Sequence, residues 1–414
     1  MVTTCGYSTP LLWKGALVIT AFSSIICPIL LAFANKITVH EYTIFARFYT
    51  GICTGIISIV VPLYLGEISP TSLRGGITMM THLFLVFGLL LAQILSVPEL
   101  LGTQKGFSIL MGISGVMPFF AILLLPFFPE SPRYLFIQKK DEEKARQVLK
   151  ILRDRNNVEE EIEELRQEDL LEKAEKNMNP MKLLWTPTLR WQVITTVVLM
   201  GGQQLDGINA VHFYAQRIYL STGMEEGHAH YLRMSSISMG CCSILLGMCL
   251  ADSKGHRILF LAGFGICCII CVLLTMTLEM QGTIPEVAYI STCLVQVFLF
   301  GHSIAPGPLS SVIVLELFLQ SSRSSAFVIA GFVQWFTHFL IGLIFLHVET
   351  HIGAYSFLIF WPISVAVFVY IFKFLPEMKG RTFVDIRRLM AIQTAKKIAV
   401  KGQAGKQELK KHPA

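Results

Sequence analysis

Charged residues are scarce in this chain: only 15% of its 414 residues are Asp, Glu, Lys or Arg, whereas 53% are hydrophobic. Soluble domains carry about 25% charged residues, so this composition excludes an ordinary soluble globular protein. Asn-x-Ser/Thr sequons are also absent, and no exposed glycosylation site can be named. The clustered cysteines, such as Cys241-Cys242 and Cys267-Cys268, lie in apolar runs, where a thiol behaves as a small hydrophobic group. We therefore predict neither a metal site nor a cofactor.

Long apolar runs, in contrast, are abundant. A helix that spans a bilayer needs about 20 mostly apolar residues, and ten stretches of this chain meet that requirement. They lie near 15–34, 41–65, 76–97, 107–128, 192–218, 234–251, 258–279, 284–314, 324–347 and 354–375. The predicted fold class is an all-α, multi-pass membrane protein embedded in the lipid bilayer.

Lys and Arg are concentrated in two segments outside these runs. Residues 129–190 hold thirteen of them, and residues 377–414 hold ten. Because cytoplasmic loops retain Lys and Arg, both segments are predicted to be cytoplasmic, and ten spans then place both termini there. The net charge of +6 follows from this bias and requires no nucleic-acid partner. The basic tail either contacts anionic lipid or simply reflects the topology.

These segments divide the chain into four parts. Residues 1–128 are predicted to form a bundle of four spans, 129–190 a cytoplasmic helical connector, 191–376 a bundle of six spans, and 377–414 a basic tail. Within the connector, charged and apolar residues alternate at helical spacing from 141 to 152, which predicts short amphipathic helices.

The two bundles share a repeated pattern. Glu67 and Arg74 close one span of the first bundle, and Glu316 and Arg323 recur at the same spacing in the second. Two related halves are typical of secondary transporters, whose binding site lies between the repeats. When the repeat is extended backwards, the counterpart of Arg190 falls before the first residue. The first bundle is therefore expected to be two spans short.

Three amide side chains lie close together in one span: Gln203, Gln204 and Asn209. Amides donate and accept hydrogen bonds, which suits a neutral ligand rich in hydroxyl groups, such as a sugar. Gln203 and Gln204 lie about 100° apart on a helix, so both can border one wide cavity. Gly207 would allow a bend that turns Asn209 toward it. The alternative is that these amides only hydrogen-bond neighbouring helices.

Two further spans carry unusual residues. Pro306 and Pro308 interrupt an apolar run, and proline breaks or kinks a helix; broken helices form sites or gates in transporters, although a static kink is equally compatible. Gln334, Trp335 and His338 share another span. Trp335 offers an apolar plate with one N–H donor, suited to stacking on a sugar ring, but a single intramembrane tryptophan can also serve packing alone.

Charged residues also lie near the ends of the spans. Such residues can pair to close one face of a carrier and separate when its halves rock; topology and helix capping are the simpler alternative. Repetition of the pattern in both halves favours a gate. The candidates are Glu67/Arg74, Glu130/Arg133, Asp252/Arg257 and Glu316/Arg323, together with Glu377 and, near the opposite end of its span, Arg47.

These motifs resemble those of the facilitative sugar transporters of the major facilitator superfamily. The matching segments include Tyr64-Leu-Gly-Glu67-Ile-Ser-Pro, Pro129-Glu-Ser-Pro-Arg133, Gly202-Gln-Gln-Leu-x-Gly207-Ile-Asn209, Ala305-Pro-Gly-Pro308 and Pro376-Glu-x-Lys-Gly380-Arg. Gly201-Gly-Gln-Gln-Leu and Gly353-Ala-Tyr-Ser-Phe357 are most similar to the fructose-type branch. The resemblance implies twelve spans in a complete bundle pair, transport of a hexose by alternating access, a plasma-membrane location and no enzymatic activity.

The resemblance also implies that Gln203, Gln204 and Asn209 hydrogen-bond the hexose, with Trp335 nearby. Several positions depart from the family pattern, including Met378 and the link Lys254-Gly255-His256-Arg257, and three of them concern the proposed site. Asp206 stands where the family has serine, His82 where a glutamine that contacts sugar is usual, and Gly240 where asparagine is usual. His82 can still hydrogen-bond a sugar, whereas Gly240 has no side chain to do so.

Three hypotheses follow. The first is a facilitative carrier of fructose or glucose. The second is a truncated or degenerate relative that does not transport. The third is proton-coupled transport, in which Asp206 or His82 titrates.

Overall fold

The computed structural model describes residues 13–34, 37, 39–70, 72–103, 105–172, 178–220, 226–281, 283–379, 385–386 and 388–389. Every regular element in these residues is a helix, as expected where lipid offers no hydrogen bonds to the backbone. Nine helical segments of the described part are long and apolar enough to cross a membrane. The chain is therefore an all-α multi-pass membrane protein, as the sequence predicted.

The first bundle holds four of these spans. Its helices are α1 (Trp13–Ala34), α2 (His40–Ile68), α3 (Arg74–Leu95), α4 (Phe107–Ile113) and α5 (Val116–Leu124), the last followed by a 3-10 turn (Leu125–Phe127). Helix α1 packs on α2, α4 and α5, and its Lys14 donates to the carbonyls of Pro126 and Phe128, both at 2.8 Å.

The connector is a small helical unit with its own core. It comprises a π-helical turn (Tyr134–Gln138), α6 (Glu142–Arg153), α7 (Glu159–Glu172), α8 (Pro180–Trp185) and a 3-10 turn (Pro187–Leu189). Asp141 caps α6 by accepting the Lys144 N–H at 3.1 Å. The core is built from the π-helical turn and one face each of α6 and α7, including Leu149, Ile162 and Leu165.

The second bundle contains the remaining helices. They are α9 (Arg190–Leu205), α10 (Ile208–Leu220), α11 (Glu226–Lys254), α12 (His256–Met280), α13 (Val287–Ile304), α14 (Pro306–Leu317), α15 (Gln320–Ile352), a 3-10 segment (Gly353–Ile359) and α16 (Trp361–Phe374). Most of the basic tail, including every residue beyond 389, lies outside the described residues.

Two of the predicted spans are broken helices. The run 192–218 divides into α9 and α10 at Gly207, whose φ of +104° is a left-handed conformation that favours glycine. The run 284–314 divides into α13 and α14 at Ala305, and Pro306 begins α14 at the first helical position, where a missing N–H costs nothing. Pro308 lies in the same first turn.

These broken helices occupy the middle of the molecule. In the most apolar stretch of the span Val287–Leu317, 61% of the residues are buried, whereas none are buried in that of the span Phe107–Phe127. Helix α14 contacts α2 and α3 of the first bundle as well as α9 of the second. Helix α14, which begins at this break, is therefore one place where the two bundles meet.

A close approach of α12 to this break predicts a large effect of one methyl group. A Cβ placed at Gly263 would lie 2.4 Å from Pro306 Cδ and 2.8 Å from the Gly301 carbonyl oxygen, so backbone must move. We expect Gly263→Ala to destabilise the protein by about 1–3 kcal/mol, the usual cost of overpacking. The measurement is thermal unfolding in detergent.

Gly265 provides the matched control on the same helix. A Cβ there would meet only Phe368, at an ordinary 3.5 Å. Gly265→Ala should unfold near the wild-type temperature, and equal effects of the two substitutions would contradict the packing argument.

Candidate functional site

Gln203 connects the two helix breaks. Its side chain is 3% exposed. In the amide orientation that satisfies its surroundings, its nitrogen lies 3.0 Å from the Pro306 carbonyl oxygen, 3.1 Å from that of Gly307 and 3.2 Å from Ser310 Oγ. Gln203 therefore lies in a packed seam between α9 and α14. The prediction that all three amides face one cavity does not hold for Gln203 in this conformation, because the carbonyls of Pro306 and Gly307 in the first turn of α14 accept its N–H groups.

The other two amides belong to a row of polar and aromatic side chains. Asn209 Nδ2 donates to Gln204 Oε1 at 2.8 Å, and His338 Nδ1 lies 3.3 Å from the same oxygen. The His338 ring contacts Trp335 edge to face, and Trp335 Nε1 lies 3.5 Å from Ser58 Oγ on α2. We call Asn209, Gln204, His338 and Trp335 the amide–aromatic row. It runs from the second bundle to the first.

The row is open on one side. Trp335 is 42% exposed, His338 is exposed, and Gln204 is half-buried, as is Gln334 one turn before His338. Trp335 also borders an apolar groove of about 370 Å³ between α2 and α15. The groove is lined by Gly51, Ile52, Gly55, Ile56, Ile59, Val328, Gly331, Phe332 and Trp335. Polar atoms beside an aromatic plate at a partly open surface can bind a hydroxyl-rich ring.

His82 lies at the centre of the structure but apart from this row. A Cβ placed at Gly307 would lie 3.1 Å from both His82 Nε2 and His302 Nε2, so both imidazoles lie beside that glycine. On its other ring nitrogen, His302 Nδ1 lies 2.6 Å from Asp206 Oδ2. Asp206 is fully buried and accepts the Ile208 N–H at 2.9 Å, which caps α10.

Charged residues join the two bundles to the connector. We call the end of the molecule at which the connector lies the connector side. Arg323 of α15 pairs with Glu67 of α2 at 3.5 Å and with Glu168 of α7 at 3.6 Å. Arg133 pairs with Glu164 at 3.3 Å and also with Glu168. Glu67 additionally accepts the Ser131 hydroxyl. These residues form the connector-side cluster. Its ion pairs join positions that are far apart in the sequence, whereas the sequence suggested pairs between neighbouring positions.

The connector-side cluster is buried, and its carboxylates favour the charged form of Arg133. Burial by itself would lower the pKa of Arg133, but the carboxylates of Glu168, Glu164 and Glu67 outweigh it and raise that pKa above its ordinary value. Glu130, predicted to pair with Arg133, is half-buried and accepts the Ser131 N–H at 3.4 Å; burial raises its pKa.

The remaining candidates have different roles. Glu316 lies 3.3 Å from His256 Nδ1, with both side chains buried. Arg74 lies in the same region and is buried, with only 1% of its surface exposed. Glu377 accepts the N–H groups of His256 and Arg257 at 3.0 and 3.3 Å and so caps α12.

Three candidates complete the set of predicted charged residues. Arg257 donates to the Phe372 carbonyl and lies over that ring. The side chain of Asp252 lies outside the described residues. Arg47 is exposed on α2, far from the connector-side cluster.

The sequence interpretation missed Glu168, His256 and His302. Glu168 continues the buried face of α7 that Ile162 and Leu165 define at a spacing of three residues, so the helical period could have identified it. His302 lies one turn before the Ala305–Pro306 break and could have been flagged as an ionisable residue inside a span. No local signal indicates the pairing of His256 with Glu316.

Comparison with known proteins agrees with this architecture. Residues 13–390 match the family described as sugar (and other) transporter. The chain is 42% identical over 376 residues to the human protein named solute carrier family 2, facilitated glucose transporter member 5, covering 91% of this chain and 75% of that protein. It is 44% identical over 374 residues to mouse member 7, with 90% and 73% covered.

A solved structure shows the same fold. The proton:xylose symporter XylE, a major facilitator superfamily protein bound to 6-bromo-6-deoxy-D-glucose, superposes with a TM-score of 0.79 at 20% identity, covering 94% of this chain and 86% of that one. The matched family, together with two helical bundles that have broken helices between them, defines the class of this protein as a multi-pass membrane transporter.

Within that class, the chain belongs to the sugar transporter family. The solute carrier family 2 relatives confirm the resemblance seen in its motifs.

Proposed function

We propose that this chain carries a hexose, fructose or glucose, across the membrane by alternating access. The observation that carries the proposal is the amide–aromatic row, which reaches from Asn209 of α10 to Ser58 of α2. Gln204 and Asn209 offer donors and acceptors for sugar hydroxyls, and Trp335 offers a ring face. A ligand bound to this row would contact both bundles, which is the requirement for coupling its binding to their relative movement.

The connector-side cluster closes one end of the transport pathway in that cycle. Glu67 lies in the first bundle, Arg323 in the second, and Glu168 in the connector. To open this end, the bundles must separate buried charges, which are costly to leave unpaired. The other end opens while this one stays closed. We place the connector side and both termini in the cytoplasm, and the protein in the plasma membrane.

Two relatives support the substrate class. Members 5 and 7 of solute carrier family 2 are named facilitated glucose transporters, and motifs around Gln203 are most similar to the fructose-type branch. We therefore expect saturable uptake of radiolabelled fructose or glucose into proteoliposomes containing the full chain. Uptake no faster than in protein-free liposomes would contradict the proposal.

A second candidate is a relative that binds partners or sugar without transporting. It is favoured by the packing of Gln203, whose amide donates hydrogen bonds to α14 and whose side chain is only 3% exposed. The open groove between α2 and α15 also favours it. Hexose binding without flux would identify this case.

Gln204 provides the sharper test of the site. Gln204→Ala removes the acceptor that Asn209 and His338 share, and leaves the buried Asn209 amide without this partner at a cost of about 1–3 kcal/mol. We expect hexose affinity to fall about tenfold, since each 1.4 kcal/mol is a factor of ten. The measurement is equilibrium binding of hexose by quenching of tryptophan fluorescence.

Gln93→Ala is the control, because Gln93 lies in the last turn of α3, outside the row. Its affinity should match the wild type. Unchanged affinity in Gln204→Ala would remove the amide–aromatic row from the binding site.

A further inference from the structure

Two histidines lie one turn apart at the end of α15 that is farthest from the connector side. His347 and His351 are both exposed, and His351 lies in the last turn of the helix. Their imidazole rings are in contact, with 4.8 Å between the ring centroids and 77° between the ring planes. The pair belongs neither to the amide–aromatic row nor to the connector-side cluster, so the proposed transport cycle gives it no role.

The pair lies beyond the apolar part of the bilayer. The segment of α15 that is long and apolar enough to cross a membrane ends at Phe345. At a rise of about 1.5 Å per residue, His347 and His351 lie about 36 and 42 Å along the helix from Arg323 on the connector side. The hydrocarbon core of a bilayer is only about 30 Å thick. Water and dissolved ions therefore reach both imidazoles on the side of the membrane opposite the connector.

The spacing of the two histidines suits the chelation of one metal ion. Residues four apart lie on the same face of a helix, and histidines at this spacing are a known zinc-binding arrangement. With Zn–N bonds of about 2.0–2.1 Å and tetrahedral angles, the centroids of two imidazoles on one ion are about 5 Å apart. The observed 4.8 Å is close to this distance. Because both side chains are exposed, a rotation of each ring is sufficient to direct one nitrogen of each toward the ion.

The end of the helix also favours a cation. The last carbonyl groups of an α-helix carry partial negative charge, which stabilises positive charge beside them. Among the residues that the structure describes, no third His, Cys, Asp or Glu joins the pair to hold a metal, so water molecules complete the coordination. Imidazole ligands suit zinc, copper and nickel, whereas calcium and magnesium require oxygen ligands.

We propose that His347 and His351 bind one divalent transition-metal ion of the zinc type, and that this ion holds the last turn of α15 in helical form. Each imidazole replaces one water molecule of the hydrated ion. The next segment, Gly353–Ile359, is a 3-10 helix that begins at Gly353 with a φ of +61°, so the α-helix ends here, and helix ends fray. Bonds from one ion to two successive turns oppose that fraying. The inference is independent of the proposed function.

The first test counts the imidazoles on the ion. The full chain, purified in detergent without a histidine tag, receives substoichiometric Cu²⁺, and electron paramagnetic resonance detects the coupling of the copper electron to imidazole nitrogens. We expect two imidazoles per Cu²⁺ in the wild type and one in His351→Gln. Calorimetric titration with Zn²⁺ should show an affinity at least about tenfold weaker in His351→Gln, since even the loss of a group that only supports a ligand weakens binding about 10–100-fold.

The second test addresses the helix end. Zn²⁺ should slow the exchange of backbone amide hydrogens in the last turn of α15 in the wild type and have no such effect in His351→Gln. His347→Gln should behave like His351→Gln in every measurement, and it replaces that variant if His351→Gln does not fold. Exchange that Zn²⁺ leaves unchanged in the wild type would overturn the role given to the ion.

Two other histidines provide the matched control. His228 and His230 of α11 are two residues apart, so they do not share a face of the helix, and His230 Nε2 already lies 3.1 Å from the Gln93 carbonyl oxygen. His228→Gln should keep both the two-imidazole signal and the wild-type affinity for Zn²⁺. A single imidazole per Cu²⁺ in the wild type, or equal Zn²⁺ affinities in the wild type and His351→Gln, would overturn the proposed site.

Discussion

Arg323→Met should be the most damaging single substitution of those considered, with a loss of about 3–5 kcal/mol, as expected when one partner of a buried ion pair is removed. Arg323 is 1% exposed and lies between Glu67 and Glu168, whose side chains are fully buried. Without the guanidinium, Glu67 would lose its ion pair and Glu168 would keep only Arg133. The measurement is the unfolding temperature of the purified protein in detergent.

A second variant distinguishes lost charge from lost packing. Glu67→Gln combined with Arg323→Met removes the charge of the buried carboxylate that is left without an ion pair, so this double variant should be more stable than Arg323→Met alone. Arg166→Met is the matched control, because Arg166 is half-exposed and pairs with Glu142 and Glu163 at the surface; such pairs contribute about 0–1 kcal/mol. Equal unfolding temperatures for Arg323→Met and Arg166→Met would contradict the role given to the cluster.

Gly66→Ala should open the connector side. A Cβ at Gly66 of α2 would lie 2.1 Å from Leu315 Cδ2 of α14, and Leu315 is fully buried, so it has little room to move. The clash would favour separation of the bundles at this end. We expect the ratio of open to closed molecules to rise at least about tenfold, equivalent to 1.4 kcal/mol.

Spin labels carried by unnatural amino acids can measure this shift without removing the native cysteines. Positions 73 and 253 suit the experiment, because both are exposed and lie in different bundles. The interlabel distance should lengthen in Gly66→Ala. Gly55→Ala, on the same helix with nothing within 4 Å of its Cβ, should leave the distance unchanged. A distance unaffected by both substitutions would show that Leu315 adapts and that the contact does not hold this end closed.

The sequence predicted the spans well because their physical cause is local. About 20 consecutive apolar residues are required wherever a helix crosses lipid, and glycine and proline act on the backbone where they stand. The breaks next to Gly207 and Pro306 are therefore readable from the chain. The family resemblance followed from the same local motifs.

The partners of the polar residues could not be predicted in the same way. Glu67 and Arg323 meet because α2 and α15 pack together on the connector side, a fact of tertiary structure that no spacing in the sequence contains. Gln203 shows the same limit. Its position on the helix suggested a cavity, but the carbonyls of Pro306 and Gly307 compete for its amide because α9 crosses the start of α14.

Glu168 gives the connector a further use. This carboxylate contacts Arg133 of the connector and Arg323 of the second bundle at once, so the second bundle covers the end of α7 around Glu168 only while the connector side is closed. Amide hydrogens of this water-accessible helix should exchange slowly with deuterated solvent in that arrangement and quickly once the bundles part. Hydrogen exchange in this peripheral helix would therefore report on movements of the bundles within the lipid.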